Sequence, residues 1–288
     1  MKVLVPLDGS RLADGILTHV RRLARQEGEP VDVVLLAVHD LWPSQAEQED
    51  RRKELEAHLG ALARLLGGEG IGAKVVVLGA VDAAEQILEH ARAHAVDLVA
   101  MSTHGRTGLQ RWVRGSVAER VLREAATPLY LANPQGLHVA DDQTIRWGRI
   151  LVPLDGSERA GRVLPLAGMF ATASGSEVVL LHIDRPGVPG VHPVPEIARR
   201  NAQGRAESEL AACRDQLAQA GVEAVRVVGR YGDDPAAEVL EAATELKADL
   251  IAISSHGRTG LRRWRFGSVA EKVLRAAPCP LLVVRAEA

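Results

Sequence analysis

Apolar positions along this chain fall into two alternating patterns. Short unbroken runs of Val, Leu, Ile and Ala end at Pro, Gly, Asp or Ser, the pattern of strands buried on both faces and closed by turns. Between them lie longer stretches in which apolar residues recur every three or four positions, the period of a helix with one buried face. The first run and its turn are KVLVPLDGS at 2–10, followed by a helical stretch over roughly 11–27. VDVVLLAVH (31–39) reads as a second strand, and Leu55, Leu59, Leu62 and Leu66 then fall at helical spacing. AKVVVLG (73–79) is a third strand, after which Asp82 and Glu85 are placed as a capping box for another helix. DLVAMS (97–102), a glycine-bearing loop, a helix over roughly 116–125 and PLYLA (128–132) complete the series.

The series then repeats. RILVPLDGS (149–157) leads into a helical stretch over roughly 158–173, SEVVLLHID (176–184) and a segment carrying Leu210, Cys213 and Leu217. EAVRVVG (223–229) follows, then a helix with Asp234 as its cap and Pro235 at its first position. DLIAIS (249–254), a helix over roughly 268–276 and PLLVV (280–284) close the second half. The likeness is greatest between MSTHGRTGLQRWVRGSVAERVL (101–122) and ISSHGRTGLRRWRFGSVAEKVL (253–274), 152 residues apart. A period of that length is a domain, not a solenoid unit. Five strands alternating with four helical stretches per half predict an α/β fold, two tandem doubly wound, mostly parallel five-stranded sheets with right-handed crossovers. The domains are expected over 1–133 and 148–288, with the polar, aperiodic stretch 134–147 as linker.

Composition sharpens this picture. With 288 residues, each half has room for its own core. Aromatic residues make up 3% of the chain, so those cores are aliphatic. A net charge of −2 argues against a nucleic-acid surface, where a basic excess is expected. The preference for Arg, 30 against 5 Lys, reads as compositional bias. Cys213 and Cys279 form no close-spaced ligand set and read as reduced thiols of a cytosolic protein. No segment approaches the length of a membrane span, and MKVLVPLDGS lacks a signal-peptide pattern, so a cytoplasmic protein without a membrane partner is expected.

Sheets of this kind take ligands beyond the carboxyl ends of their strands, where the strand order reverses. Asp8, Ser102, Asp155 and Ser254 fall at such ends. After Ser102, Gly105 and Gly115 flank nine residues and Ser116 follows; Gly257, Gly267 and Ser268 repeat the arrangement after Ser254. Glycine lets the main chain approach an anion and reach positive φ. A helix starting there points free N–H groups at the anion, and a Ser hydroxyl adds a donor. A ligand-free reading uses the same residues, because Ser116 with Glu119 and Ser268 with Glu271 are both capping boxes. The glycine pair in a strand–loop–helix setting, present twice, favours ligand binding. His104 and His256 either shape the loop or hydrogen-bond a phosphate, and neither has a partner carboxylate at fixed spacing. Arg106 and Arg258, beside the first glycine, are best placed for phosphate. Arg111, Arg114, Arg262, Arg263 and Arg265 read as a solvated face, and Trp112 and Trp264 as apolar anchors.

The spacing Ser102-x2-Gly105-x9-Gly115-Ser116, repeated as Ser254-x2-Gly257-x9-Gly267-Ser268, resembles the nucleotide-binding motif of universal stress proteins: Gly, two residues, Gly, nine residues, Gly, then Ser or Thr. The resemblance extends over nearly all of both halves. Both copies depart from it at the first position, where Ser replaces Gly. It implies a Rossmann-like fold of the adenine nucleotide alpha hydrolase type. It also implies ATP or a related adenine nucleotide as ligand, with or without Mg2+, and a stress-response role as a nucleotide-dependent switch or scaffold. Asp8 and Asp155 would then lie by the ribose or adenine, and Val38 and Ile183 would offer backbone groups to the base. From the residues alone, Asp8 and Asp155 serve equally as turn formers, and Val38 and Ile183 as buried strand residues. The resemblance further implies an internal pseudo-dimer through the last strands, with homo-oligomers and protein partners beyond it. The alternative is a nucleotide-independent scaffold acting through protein contacts. An adenylating ligase is disfavoured, because PLDGS has fewer Gly and Ser than its phosphate loop needs. Without a P-loop Lys or an obvious carboxylate pair for Mg2+, binding with at most slow hydrolysis is expected.

Overall fold

The computed structural model describes residues 1–25, 30–41, 44–103, 116–132, 147–185, 196–255 and 267–286. The chain divides into two compact units, Met1–Gln143 and Thr144–Ala288. The expected linker therefore lies outside the described residues except for Trp147. That residue is 1% exposed and stacks on Phe170, with ring centroids 4.9 Å apart, so it belongs to the core of the second unit.

In the first unit β1 (Lys2–Leu7), β2 (Asp32–His39), β3 (Ala73–Gly79), β4 (Leu98–Ser102) and β5 (Leu129–Ala132) are parallel, in the order β3-β2-β1-β4-β5. Val3 faces Val33 on one side and Leu98 on the other, which puts the reversal of strand order between β1 and β4. Val3, Leu4 and Val5 are all fully buried, as expected of a central strand covered on both faces. The helices are α1 (Arg11–Asp14), α2 (Ile16–Ala24), α3 (Gln45–Gly68), α4 (Ala83–Ala93) and α5 (Ser116–Glu124). The stretch expected as one helix over 11–27 is thus two helices, broken at Gly15, whose N–H turns back to Ala13 O. Leu55, Leu59 and Leu66 of α3 are buried, while Leu62 is half-buried on the edge of that stripe.

The second unit repeats the plan. β6 (Arg149–Pro153), β7 (Glu177–Asp184), β8 (Val225–Tyr231), β9 (Leu250–Ser254) and β10 (Leu281–Val284) are parallel, in the order β8-β7-β6-β9-β10. Its helices are α6 (Glu158–Gly161), α7 (Leu164–Ser174), α8 (Glu196–Glu209), α9 (Ala211–Gln219), α10 (Pro235–Glu245) and α11 (Ser268–Ala276). The third strand is displaced from its expected place at 223–229. Gly229 does not end it. A Cβ on Gly229 would lie 2.3 Å from Ala202 O of α8, so this glycine marks close approach of helix backbone to strand interior.

Small polar devices fix the frame, and several recur at a 152-residue offset. Asp97 Oδ2 accepts from Lys2 N (2.6 Å), and Asp249 Oδ2 accepts from Gly148 N (2.9 Å) and Arg149 N (3.0 Å); each ties the start of the central strand to its neighbour. Asp82 caps α4 by accepting from Glu85 N (3.0 Å), and Asp234 caps α10 by accepting from Ala236 N (3.1 Å). Both cysteine thiols are free, and burial pushes the Cys279 thiol up to about 12. Among the described residues no helix is long and apolar enough to cross a membrane.

Candidate functional site

The carboxyl ends of β1 and β4, and of β6 and β9, flank the reversal of strand order in each unit, where ligands of doubly wound sheets sit. Each first strand runs into an Asp-Gly-Ser turn. Asp8 Oδ1 accepts from Ser10 N (2.9 Å), and Asp155 Oδ1 accepts from Ser157 N (3.0 Å) and Ser157 Oγ (2.6 Å). Gly9 and Gly156 adopt φ of +80° and +78°, conformations that disfavour any side chain. Ser10 and Ser157 then cap α1 and α6. The turn role of both aspartates is therefore formed, and it holds each carboxylate at the rim of the sheet.

Val38 and Ile183 are half-buried rather than core residues. Asp32 N donates to Met1 O and Val33 N to Gly72 O, so even-numbered residues of β2 turn their backbone groups toward β1. Val38 thus faces the β1 side, one residue beyond the last pair of that ladder, Leu7 with Ala37. The same alternation turns Ile183 toward β6, two residues beyond the last pair, Pro153 with Leu181. Leu154 O, next in line along that ladder, accepts from His182 Nδ1 at 3.2 Å.

Ser102 and Ser254, the last residues of β4 and β9, are 8% and 6% exposed. Among the described residues the Ser254 hydroxyl has no hydrogen-bond partner. A buried hydroxyl left in that state costs about 1–3 kcal/mol, so a position that keeps it calls for an acceptor. The next residue closes the neck of the following loop: Ser255 O accepts from Gly267 N (2.9 Å), while Ser255 N donates to Val284 O (2.9 Å) and Ser255 Oγ accepts from Ala286 N (3.2 Å). Strand end and helix start are thereby held side by side.

Gly267 is the N-cap of α11, with no side-chain cap bond, and Ser268 is the first helical residue. The alternative reading of Ser268 with Glu271 as a capping box is therefore not formed, because Ser268 sits one position too far into the helix. The first-turn amides are left to another acceptor. Gly267 has φ −67° and ψ 148°, an extended conformation open to any residue, so this glycine is not needed for positive φ. Ser116 likewise begins α5 and is exposed. His104, Gly105, Arg106, Gly115, His256, Gly257 and Arg258 lie outside the described residues, as do the other loop arginines and Trp112 and Trp264.

The rim of the second unit also carries a polar cluster that no sequence spacing announces. His182 Nε2 lies 3.6 Å from Asp184 Oδ1 and 3.6 Å from Glu209 Oε2, and Arg205 Nη1 lies 3.4 Å from Asp184 Oδ2. His182 and Asp184 sit at the end of β7, while Arg205 and Glu209 come from α8; chain folding brings them together.

The model of the universal stress protein family matches residues 1–132 and again 146–285. The universal stress protein YxiE of Bacillus subtilis is 30% identical over 149 residues, which is 48% of this chain and 99% of that protein. The universal stress protein Mb2028c of Mycobacterium bovis is 25% identical over 300 residues, 98% of this chain and 96% of that protein. The crystal structure of a universal stress protein from Archaeoglobus fulgidus shares the fold, with a TM-score of 0.75 at 22% identity over 99% of this chain and 98% of that one. Matched by the family in each unit and by a relative along nearly its whole length, the chain belongs to the universal stress protein family.

Proposed function

We propose that this protein is a cytoplasmic stress-response protein whose second unit binds an adenine nucleotide, ATP foremost, at the Ser254–Gly267 rim, and that occupancy acts as a switch on partner binding. The observation that carries the reading is the buried, unpartnered hydroxyl of Ser254 at the strand end that is tied to an uncapped helix start. Ser254 Oγ and the first-turn amides of α11 suit a polyphosphate, which accepts from both and is favoured by the positive end of the helix dipole. Asp155 and the backbone of Ile183 suit the nucleoside end, as the family's motif implies. The matching positions of the first unit, Asp8, Val38, Ser102 and Ser116, support the same role there. The binding is passive, with at most slow hydrolysis.

Calorimetric titration of the full chain with ATP tests this. Ser254→Ala is expected to weaken binding by about tenfold or more, because a hydrogen bond to a charged acceptor is worth about 1.5–3 kcal/mol. The same change is expected to leave the free protein as stable as before, or about 1 kcal/mol more so, since the hydroxyl it removes is unsatisfied. Gly267→Val is expected to abolish binding in the second unit while keeping the fold. No heat and no rise in Tm at millimolar ATP would remove the proposal in favour of a nucleotide-independent scaffold.

A further inference from the structure

A second kind of site lies at the opposite end of the first unit, and it is independent of the nucleotide reading. His90 and His94 stand four residues apart at the end of α4, so their side chains project from one face. Their rings stack with centroids 4.0 Å apart and planes inclined by 22°. His94 Nδ1 lies 3.0 Å from His90 O. A carbonyl can only accept, so Nδ1 carries the proton and His94 Nε2 presents its lone pair. That is the arrangement in which a metal-ligating histidine is held by its outer partner. His90 is half-buried and His94 exposed, which leaves the pair within reach of solvent.

We propose that His90 and His94 form an open, two-imidazole site for a divalent first-row transition-metal ion such as Cu2+ or Zn2+. Imidazole is a favoured ligand of both ions. With metal–nitrogen distances of about 2.0–2.1 Å, one ion needs a ring nitrogen from each residue pointing at it, so the two imidazoles turn out of their stack about their side-chain bonds to bind it. Among the described residues no third His, Cys, Asp or Glu completes a closed cage, so the remaining positions go to water or an incoming ligand. An opposing charge comes from Lys2, whose Nζ donates to His94 O at 2.7 Å. Asp97, which accepts from Lys2 N, lies on the same side and offsets part of that charge. At the 152-residue offset the second unit has Ala242 and Leu246, so the site belongs to the first unit.

The test is Cu2+ titration of the full chain, followed by paramagnetic resonance to count coupled nitrogens and by calorimetry with Zn2+. Uptake of one Cu2+ coupled to two nitrogens is expected. Either His90→Gln or His94→Gln should weaken it by about tenfold or more. His58→Gln, which removes the partner of Asp14, should leave it unchanged. Lys2→Gln should tighten binding by about two- to threefold, by removing a like charge beside the pair. Where a variant fails to fold, protection of His90 and His94 from diethylpyrocarbonate by Cu2+ in the unaltered chain decides the matter. Undiminished binding by the double variant, or modification of both rings at the same rate with and without Cu2+, would overturn the proposal.

Discussion

The two units share a sheet plan but finish its outer edge differently. In the first, α3 covers the sheet with a row of large side chains, Leu55, Leu59 and Leu66, all buried. In the second, α8 buries Ala202 and Ala206 instead, and its backbone comes close enough to β8 that only a glycine fits at 229. Small side chains shorten the distance between packed elements. The closer approach also lets Gln203 reach the strand edge. Val178 N donates to Ala224 O, so even-numbered residues near the start of β8 face β7, and Val227 and Gly229 turn outward. Gln203 Nε2 donates to Val227 O (3.1 Å), and Gly229 N donates to Gln203 Oε1 (2.7 Å), so one side-chain amide pairs with the edge as a further strand would. Among the described residues no side chain does the same for Val75 and Val77 of β3. The two units thus differ in the helical layer between the second and third strands and agree at the strand ends around the candidate site.

The largest effect expected from this contrast is at the glycine that each third strand carries, Gly79 at the end of β3 and Gly229 inside β8. A Cβ at Gly229 meets backbone, Ala202 O at 2.3 Å, whereas a Cβ at Gly79 meets side chains, His39 Cε1 at 2.9 Å and Leu41 Cδ2 at 3.1 Å. Side chains at a rim can move and a helix backbone cannot. Gly229→Ala is expected to destabilise by about 2–3 kcal/mol and Gly79→Ala by less than about 1 kcal/mol. Urea unfolding of the two variants side by side checks this, and equal losses would break the distinction between the two edges.

A smaller effect is expected at Gln203. Gln203→Leu keeps bulk but leaves the outward groups of Val227 and Gly229 to water, at a cost of about 1 kcal/mol. An uncovered edge also pairs with other chains, so sedimentation of this variant should show more self-association than the unaltered protein. Monodisperse Gln203→Leu at unchanged stability would show that the amide contributes nothing to guarding the edge.

These cases also mark what the sequence discloses. Runs such as VVLLAV and VVLLHI announce strands because burial on both faces demands unbroken aliphatic residues, and the 152-residue repeat makes the tandem plan legible. Gly229 is not legible as a packing site, because a glycine at the end of an apolar run carries the same letter whether it ends a strand or admits a helix. The S-x-x-E pattern at Ser268 suggested a cap, yet the structure caps α11 at Gly267; one residue of helix phase separates the two, and composition does not set it. Position after an apolar run is enough to put Asp8, Asp155 and Ser254 at strand ends. Nothing local marks Ser255 or Glu209, whose partners are backbone atoms or lie tens of residues away, and the two-residue spacing of His182 and Asp184 is one that any strand offers.

The smallest expected effect concerns a pair of devices that the units hold in common. Asp82 with Arg120 and Asp234 with Lys272 stand 152 residues apart, each joining a helix cap to the last helix of its unit. Both carboxyls are held below the usual aspartate range, but for different leading reasons. At Asp82 the backbone amide of Glu85 comes first and the Arg120 guanidinium after it; at Asp234 the hydrogen bond from the Lys272 ammonium comes first. A depressed carboxyl binds its proton less readily folded than unfolded. Its contribution to stability is therefore full above the ordinary value of 3.8 and drains away as pH falls through the depressed one. Arg120→Gln should leave at Asp82 the part of the depression that the Glu85 amide supplies, whereas Lys272→Gln should remove the leading part of it at Asp234. Carboxyl carbon titrations by NMR read both directly, with a change in acid-limb Tm of no more than about 3 °C. If Arg120→Gln removes the whole of the depression at Asp82, the Glu85 amide contributes nothing there, and the two caps are energetically as alike as their offset.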